Sequence, residues 1–373
     1  MNLQERDYWL AFNVCGGFGP KRFTAALKYF GSARRAWSAG KDEWKNLRLG
    51  LKRIDRLFSF KKEFDIVSYK LRLEKYLIKF VVNTDKHYPD ILKEIEAPPY
   101  LLYYKGSLLP QDNVSISAVG TRKATSYGRA AAQKITRSLS IRGMTIVSGL
   151  ARGIDGIAHR TALLYGARTL AVVGHGLDKI YPSEHLQLAD KIVKKGAVIS
   201  QFPLDVRASV GTFPARNRTI AGLGLGVVVV EGMKDSGSLI TAGYARKMSR
   251  PVFAVPGPIT SELSDGPSKL IKNGAKLITS GEDIIRELKI NPLAGGSKFK
   301  IAVQNLKLKK EGKEINFSSR AEERIWKILS EGEKHIDQLA RQSGLMPAEI
   351  SAVLTVMELE GRVKNLGSGE YCL

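Results

Sequence analysis

Between residues 113 and 290, short apolar runs alternate with helical segments, and this leaves the chain few folds to choose from. Strands are expected at 114–119, 144–148, 169–173, 197–200, 226–231, 251–255 and 275–279. Helical segments fill 126–142, 154–166, 183–195, 217–223, 238–249, 267–273 and 281–289. Several strands, such as Val227-Val228-Val229-Val230, are apolar without alternation. A strand of that kind is covered on both faces. Strands and helices taken in turn build a parallel, doubly wound α/β sheet.

The flanks read differently. Residues 1–76 are helical in pattern, with apolar positions at Tyr8, Trp9, Phe12 and again at Phe23, Ala26, Leu27, Phe30. Between them lies Gly16-Gly17-Phe18-Gly19-Pro20-Lys21-Arg22. Glycine ends the first helix and Pro20 suits the first turn of the next. The element resembles a helix-hairpin-helix (SAM-like) unit that aims backbone N–H groups, Lys21 and Arg22 at a phosphate. It reads equally as an ordinary helical hairpin with a glycine cap. Residues 77–112 connect through short β-like runs such as Tyr100–Tyr104. Residues 291–316, with Gly295-Gly296-Ser297 and six lysines, look like a basic linker. Residues 317–373 resemble a winged helix, with helices at 319–330, 335–343 and 347–361 and a wing around Gly367-Ser368-Gly369. The expected domains are therefore 1–76, a Rossmann-like 77–290, the linker 291–316, and 317–373.

Charge narrows the partner. Lys and Arg number 59 against 36 Asp and Glu, for a net charge of +23 over 373 residues. Such a balance points to a polyanion, either nucleic acid or an anionic membrane surface. No apolar stretch approaches the ~20 residues that span a bilayer. The start, MNLQERDYWLAF, has no signal-peptide apolar core, so the expected location is the cytoplasm. Cys15 and Cys372 lie far apart and are expected to be free thiols. The final 57 residues carry nine acidic and seven basic side chains, so the positive charge belongs to the rest of the chain.

In a doubly wound sheet, ligands bind beyond the carboxyl ends of the strands. The first such loop is Gly120-Thr121-Arg122-Lys123, either a phosphate-holding turn or a plain strand-to-helix connection. It matches neither the dinucleotide fingerprint nor a Walker pattern. The second is Ser148-Gly149-Leu150-Ala151-Arg152-Gly153-Ile154-Asp155. Asp155 and His159 share a helix face, which suits a metal or proton relay, or else a cap and a packed histidine. After the fourth strand, Phe213-Pro214-Ala215-Arg216-Asn217-Arg218 places cations beside an aromatic ring, as a nucleic-acid strand requires, or else forms a hydrophobic staple with a basic helix N-terminus. After the fifth come Glu231 and the helix start Ser236-Gly237-Ser238. No Ser sits in a Gly-x-Ser-x-Gly elbow, and five histidines leave little room for a metal centre.

Taken in order, Gly120-Thr121-Arg122, SGLARGID at 148–155, FPARNRTIAGL at 213–223, SGSLITA at 236–242, VPG at 255–257 and LIKNGA at 270–275 resemble the DNA-processing protein A family, also called DprA or Smf. The resemblance covers roughly residues 85–290, and the flanking domains occur in many members. It implies a Rossmann-like domain that binds single-stranded DNA, protects incoming strands during natural transformation and helps load the RecA recombinase onto them. It also implies a homodimer that catalyses no reaction and holds no cofactor or metal. The family's phosphate-gripping arginine maps onto Arg122. Its Phe-Pro-x-Arg-Asn-Arg element maps onto Phe213, Pro214, Arg216, Asn217 and Arg218. Two runs depart from the family: Ser200-Gln201 stands for Ser-Glu, and Tyr181-Pro182-Ser183-Glu184-His185 for Tyr-Pro-x-x-Asn.

The DNA contacts expected are thus Gly120, Thr121, Arg122, Gly149, Arg152, Phe213, Arg216, Asn217, Arg218, Ser236, Gly237 and Ser238, with Lys21 and Arg22 as a secondary contact. Two rival readings remain. One is a nucleotide-processing phosphoribohydrolase of the same superfamily, though the helix start at 236–241 lacks the acid such enzymes carry. The other is a transcription regulator working through the winged helix, against which its acidic balance counts.

Overall fold

The computed structural model describes residues 3–290 except 48, and residues 317 and 319–372 except 331–333, 360, 361 and 368. The fold falls into two compact units divided near residue 296. The expected linker, 291–316, lies outside the described residues, as does Ser368 of the expected wing.

Six helices open the first unit: α1 (Glu5–Cys15), α2 (Pro20–Phe30), α3 (Ala33–Ser38), α4 (Lys41–Lys45), α5 (Leu51–Glu63) and α6 (Ile66–Lys75). Then come β1 (Lys79–Val82), α7 (Asp90–Lys93), β2 (Leu101–Gly106) and β3 (Ser115–Val119). The alternation follows as α8 (Ser126–Ile141), β4 (Thr145–Ser148), α9 (Ile154–Leu164), β5 (Thr169–Val173), α10 (Leu186–Lys195) and β6 (Ala197–Ser200). It ends with α11 (Phe213–Leu223), β7 (Val227–Val229), α12 (Gly237–Lys247), β8 (Val252–Ala254), α13 (Asp265–Lys272), β9 (Lys276–Leu277) and α14 (Gly281–Leu288).

The nine strands form one sheet in the order β1-β2-β6-β5-β4-β3-β7-β8-β9. From β6 to β9 every pairing is parallel. Each residue of β3 to β6 is buried, as in strands covered on both faces. The seven expected strands and the helices between them are all present. The connecting stretch does more than connect: β1 and β2 extend the sheet antiparallel beyond β6. The helix expected from 217 begins at Phe213, with Pro214 in its first turn. Proline is tolerated there because that N–H has no partner in any helix.

The helical region closes on an aromatic core. The Phe12 ring meets Phe18, Phe23, Trp37 and Trp44 at centroid distances of 5.2–5.8 Å. Phe23 also stacks on Tyr100, just before β2, at 4.0 Å and 22°. Cys15 is a buried free thiol whose pKa burial pushes up to about 11. The side chain of Cys372 lies outside the described residues.

The second unit has helices Arg320–Leu329, Ile336–Ser343 and Pro347–Leu359 and a three-stranded sheet. Its hairpin strands are Lys364–Gly367 and Glu370–Cys372, joined at an edge by Lys334–His335. Ile325, Leu339, Ile350, Leu354 and Met357 form its core. Among the described residues of the chain, no helix is long and apolar enough to cross a membrane. Nor do those residues contain a cluster of three metal-ligating side chains.

His159 on α9 is fully buried, its Nδ1 2.7 Å from the Thr169 hydroxyl on β5. Burial, and then the neighbouring His185, Arg160 and Arg216, push its pKa from 6.5 down to about 3. The folded state therefore keeps a neutral ring that the unfolded chain would protonate below about pH 6.5. This contribution to stability is complete above that pH and is lost as the pH falls toward 3, at roughly 1 kcal/mol or slightly more per unit. Urea unfolding at pH 7 and pH 5 is expected to show a smaller pH dependence in His159→Gln than in the wild type. Equal slopes would contradict this.

Candidate nucleic-acid interface

An open cleft of about 390 Å³, solvent at its mouth included, lies at the carboxyl ends of β3, β4 and β5. The loop after β3 contributes Arg122, and the loop after β4 contributes Gly149, Ala151 and Arg152. The loop after β5 contributes Gly174, His175 and Tyr181, and the first turn of α11 closes the cleft with Phe213 and Arg216. These loops meet because glycine lets them. Gly153 has φ +69, and a Cβ there would fall 2.2 Å from the Thr121 carbonyl oxygen. The Ile154 N–H donates to that oxygen at 3.1 Å, which locks the first loop onto the second. A Cβ on Gly149 would fall 1.6 Å from Arg216 Nη1.

Arg216 is the buried cation of the site, 7% exposed. Its Nη1 lies 3.8 Å from an Asp155 carboxylate oxygen. The same oxygen accepts from the Gly149 N–H at 3.1 Å and the Ala151 N–H at 3.3 Å. Asp155 thus shapes the loop and balances the arginine at once. Burial raises the Asp155 pKa, while Arg216 and the N–H donors pull it back. Burial likewise lowers that of Arg216, against the pull of Asp155. Among the described residues, the Arg216 Nε–H is buried without a hydrogen-bond partner. A buried donor of this kind is costly unless something accepts from it.

Phe213 carries two guanidinium groups, with Arg122 Cζ 5.3 Å and Arg216 Cζ 5.7 Å from its ring centroid. Cation–π attraction holds both near the cleft. Phe213 is therefore engaged by its neighbours, and the ring that stands free at the rim is Tyr181, 53% exposed. In the sequence the run 181–185 stands out only as a departure from the family pattern. Its position after a strand of a doubly wound sheet was the available signal.

The other expected contacts scatter. Arg152 reaches the rim but is ion-paired with Glu184. Arg218 donates to the backbone carbonyls of Glu96 and Ala97, away from the cleft. The reason is helical: Phe213 and Arg216 are three apart and share a face of α11, whereas Arg216 and Arg218 are two apart and do not. Asn217 is buried and donates to the Gly237 carbonyl at 3.3 Å, tying α11 to α12. Ser236 caps α12 by accepting from the Ser238 N–H, and neither serine nor Gly237 lines the cleft. Gly120 packs on Ile154, and the Thr121 N–H donates to the Glu231 carbonyl at 2.7 Å. Lys21 is 2.6 Å from Glu96 in a surface ion pair, and Arg22 donates to the Gly17 carbonyl at 3.4 Å.

The acids and histidines around the cleft have structural partners. The Glu231 carboxylate accepts from the Thr125 N–H at 3.0 Å and its hydroxyl at 2.5 Å, fixing the start of α8. His159 bonds Thr169, His175 the Gly176 carbonyl, and His185 the Leu150 carbonyl. The Asp155–His159 pair is a loop-shaping cap and a packed ring rather than a relay.

Comparison with known proteins agrees with this architecture. The family model for DNA recombination-mediator protein A matches residues 79–289, and that for the DprA winged helix domain matches residues 316–369. The Smf protein of Synechocystis sp. is 36% identical over 298 residues, covering 79% of this chain and 75% of that one. The crystal structure of DNA processing protein A from Streptococcus pneumoniae superposes with a TM-score of 0.67 at 34% identity, covering 77% of this chain and 99% of that one. A structure of the Helicobacter pylori protein, which concerns its single-stranded DNA binding mode, gives a TM-score of 0.51 at 30% identity. It covers 57% of this chain and 95% of that one. Sheet and winged helix agree with these matches, and the chain belongs to the DNA recombination-mediator protein A family, the DprA/Smf proteins.

Proposed function

We propose that this chain binds single-stranded DNA in the cleft and catalyses no reaction there. The observation that carries the reading is the buried Arg216, whose Nε–H lacks an acceptor, beside the exposed Arg122. A phosphate in the cleft supplies negative charge to this guanidinium and to Arg122, since a guanidinium presents a planar fork of donors. Tyr181 offers a face on which a base can stack. The single-stranded DNA binding described for the Helicobacter pylori relative supports the choice of strand. Protection of incoming DNA, delivery to RecA and a homodimeric working form complete the proposal on grounds of family membership. The Glu231 carboxylate accepts from Thr125 and that of Asp155 from the Gly149 and Ala151 N–H groups, which supports structural rather than hydrolytic roles for both acids.

Phosphate contacts release counterions, so affinity for oligothymidylate is expected to fall steeply with salt. Arg122→Ala should weaken binding to all sequences alike and flatten the log–log salt slope by about 0.7, the share of one phosphate on a single strand. A variant with the full wild-type slope would remove Arg122 from the phosphate path. Tyr181→Ala should cost about 1–3 kcal/mol of affinity, and Tyr181→Phe should retain it. Unchanged affinity in Tyr181→Ala would rule out stacking at that ring.

A further inference from the structure

We propose that the strand held in the cleft continues onto a second phosphate site on the N-terminal helices, formed by Arg22, Arg53 and Arg56 around the Gly16-Gly17 turn. The inference rests on the cleft being a single-strand site. Three arginines from α2 and α5 gather at this turn. Arg56 Nη2 lies 3.2 Å from where a Gly16 Cβ would stand, and Arg53 Cδ lies 3.9 Å from the corresponding point on Gly17. Both glycines have positive φ, 72° and 79°, so the turn and its open flank depend on them. Arg22 donates to the Gly17 carbonyl at 3.4 Å and Arg53 to the Leu49 carbonyl at 2.7 Å. Each guanidinium has five N–H donors, so most remain available.

Several cations of the same helices have acids: Lys21 meets Glu96, Lys41 meets Asp55, and Arg6 meets Asp85. Among the described residues, Arg22, Arg53 and Arg56 are in no ion pair with a carboxylate. Arg22 and Arg56 are exposed and Arg53 is half-buried. Three like charges drawn together repel one another, and an anion relieves that repulsion.

The two sites lie along one edge of the sheet. The cleft opens at the carboxyl end of β5, next to β6, which is next to β2. Gln201, just past β6, accepts from Asn13 through its carbonyl at 3.4 Å. Asn13 also accepts from the Tyr103 hydroxyl of β2 at 2.8 Å. One strand spacing is ~5 Å, and three residues from Asn13 to Gly16 reach at most ~10 Å. A few nucleotides bridge such a distance.

The test compares oligothymidylates of 4 and 20 nucleotides on the full chain, across salt. The double variant Arg53→Gln/Arg56→Gln should bind the 20-mer roughly 5–10-fold more weakly, with a slope shallower by about 1.4, and the 4-mer as the wild type does. Arg22→Gln, an exposed single change, should weaken the 20-mer alone in the same sense and guards against misfolding of the double variant. Equal binding of the 20-mer by wild type and both variants overturns the second site and leaves the cleft reading intact. Equal losses on both lengths overturn it too, because the arginines would then act at long range. Failure of the wild type to bind either length refutes the cleft reading itself.

Discussion

Arg216 is buried beneath Gly149, 3.8 Å from one carboxylate, with its Nε–H unanswered. Moving a guanidinium out of water costs several kcal/mol before any pairing, and one distant carboxylate repays only part of it. Asp155 repays more by accepting two backbone N–H groups, so a single carboxylate organises both the loop and the cation. What is left is a cation held rigidly and short of one acceptor. A site of this kind resists folding slightly and gains on binding an anion, which is the trade expected of a functional position.

The sheet makes that arrangement possible. Loops that follow parallel strands emerge side by side, so Arg122, Gly149 and Tyr181 reach one cleft although 59 residues separate the first from the last. The crossing helix α11 brings Phe213 and Arg216 over the same edge. Phe213 then gathers Arg122 and Arg216 by cation–π attraction. At the other side of β6, stacking of Phe23 on Tyr100 fixes the N-terminal helices to the sheet, and with them the Gly16-Gly17 turn.

The parallel strands and their helices were legible because β-branched runs and helical periodicity are local signals. The short edge strand Lys79–Val82 was not, since four residues leave little pattern and its pairing with β2 is antiparallel. The winged-helix hairpin was legible from its glycines, whereas the two-residue strand Lys334–His335 carried no signal. Arg122 and Arg216 were legible as cations after strands. Arg218 was grouped with them because it is adjacent in sequence, but helix geometry turns it toward the carbonyls at 96–97. Lys21 and Arg152 were read as free charges, yet Glu96 and Glu184, 75 and 32 residues away, pair with them. Such long-range partners leave no trace in local pattern, and the same holds for Arg53 and Arg56, which the fold brings beside the Gly16-Gly17 turn.

The net charge of +23 alone would draw any single strand to this surface. Gly149→Ala separates that long-range attraction from binding by one preorganised cation. The added Cβ must displace Arg216 from 1.6 Å while leaving every charge in place. Oligothymidylate affinity of this variant, measured across salt beside the wild type at an unchanged unfolding midpoint, is expected to fall by roughly tenfold or more, the worth of one charge-assisted hydrogen bond. Wild-type affinity and slope in Gly149→Ala would mean that long-range charge, and not the buried arginine, holds the strand.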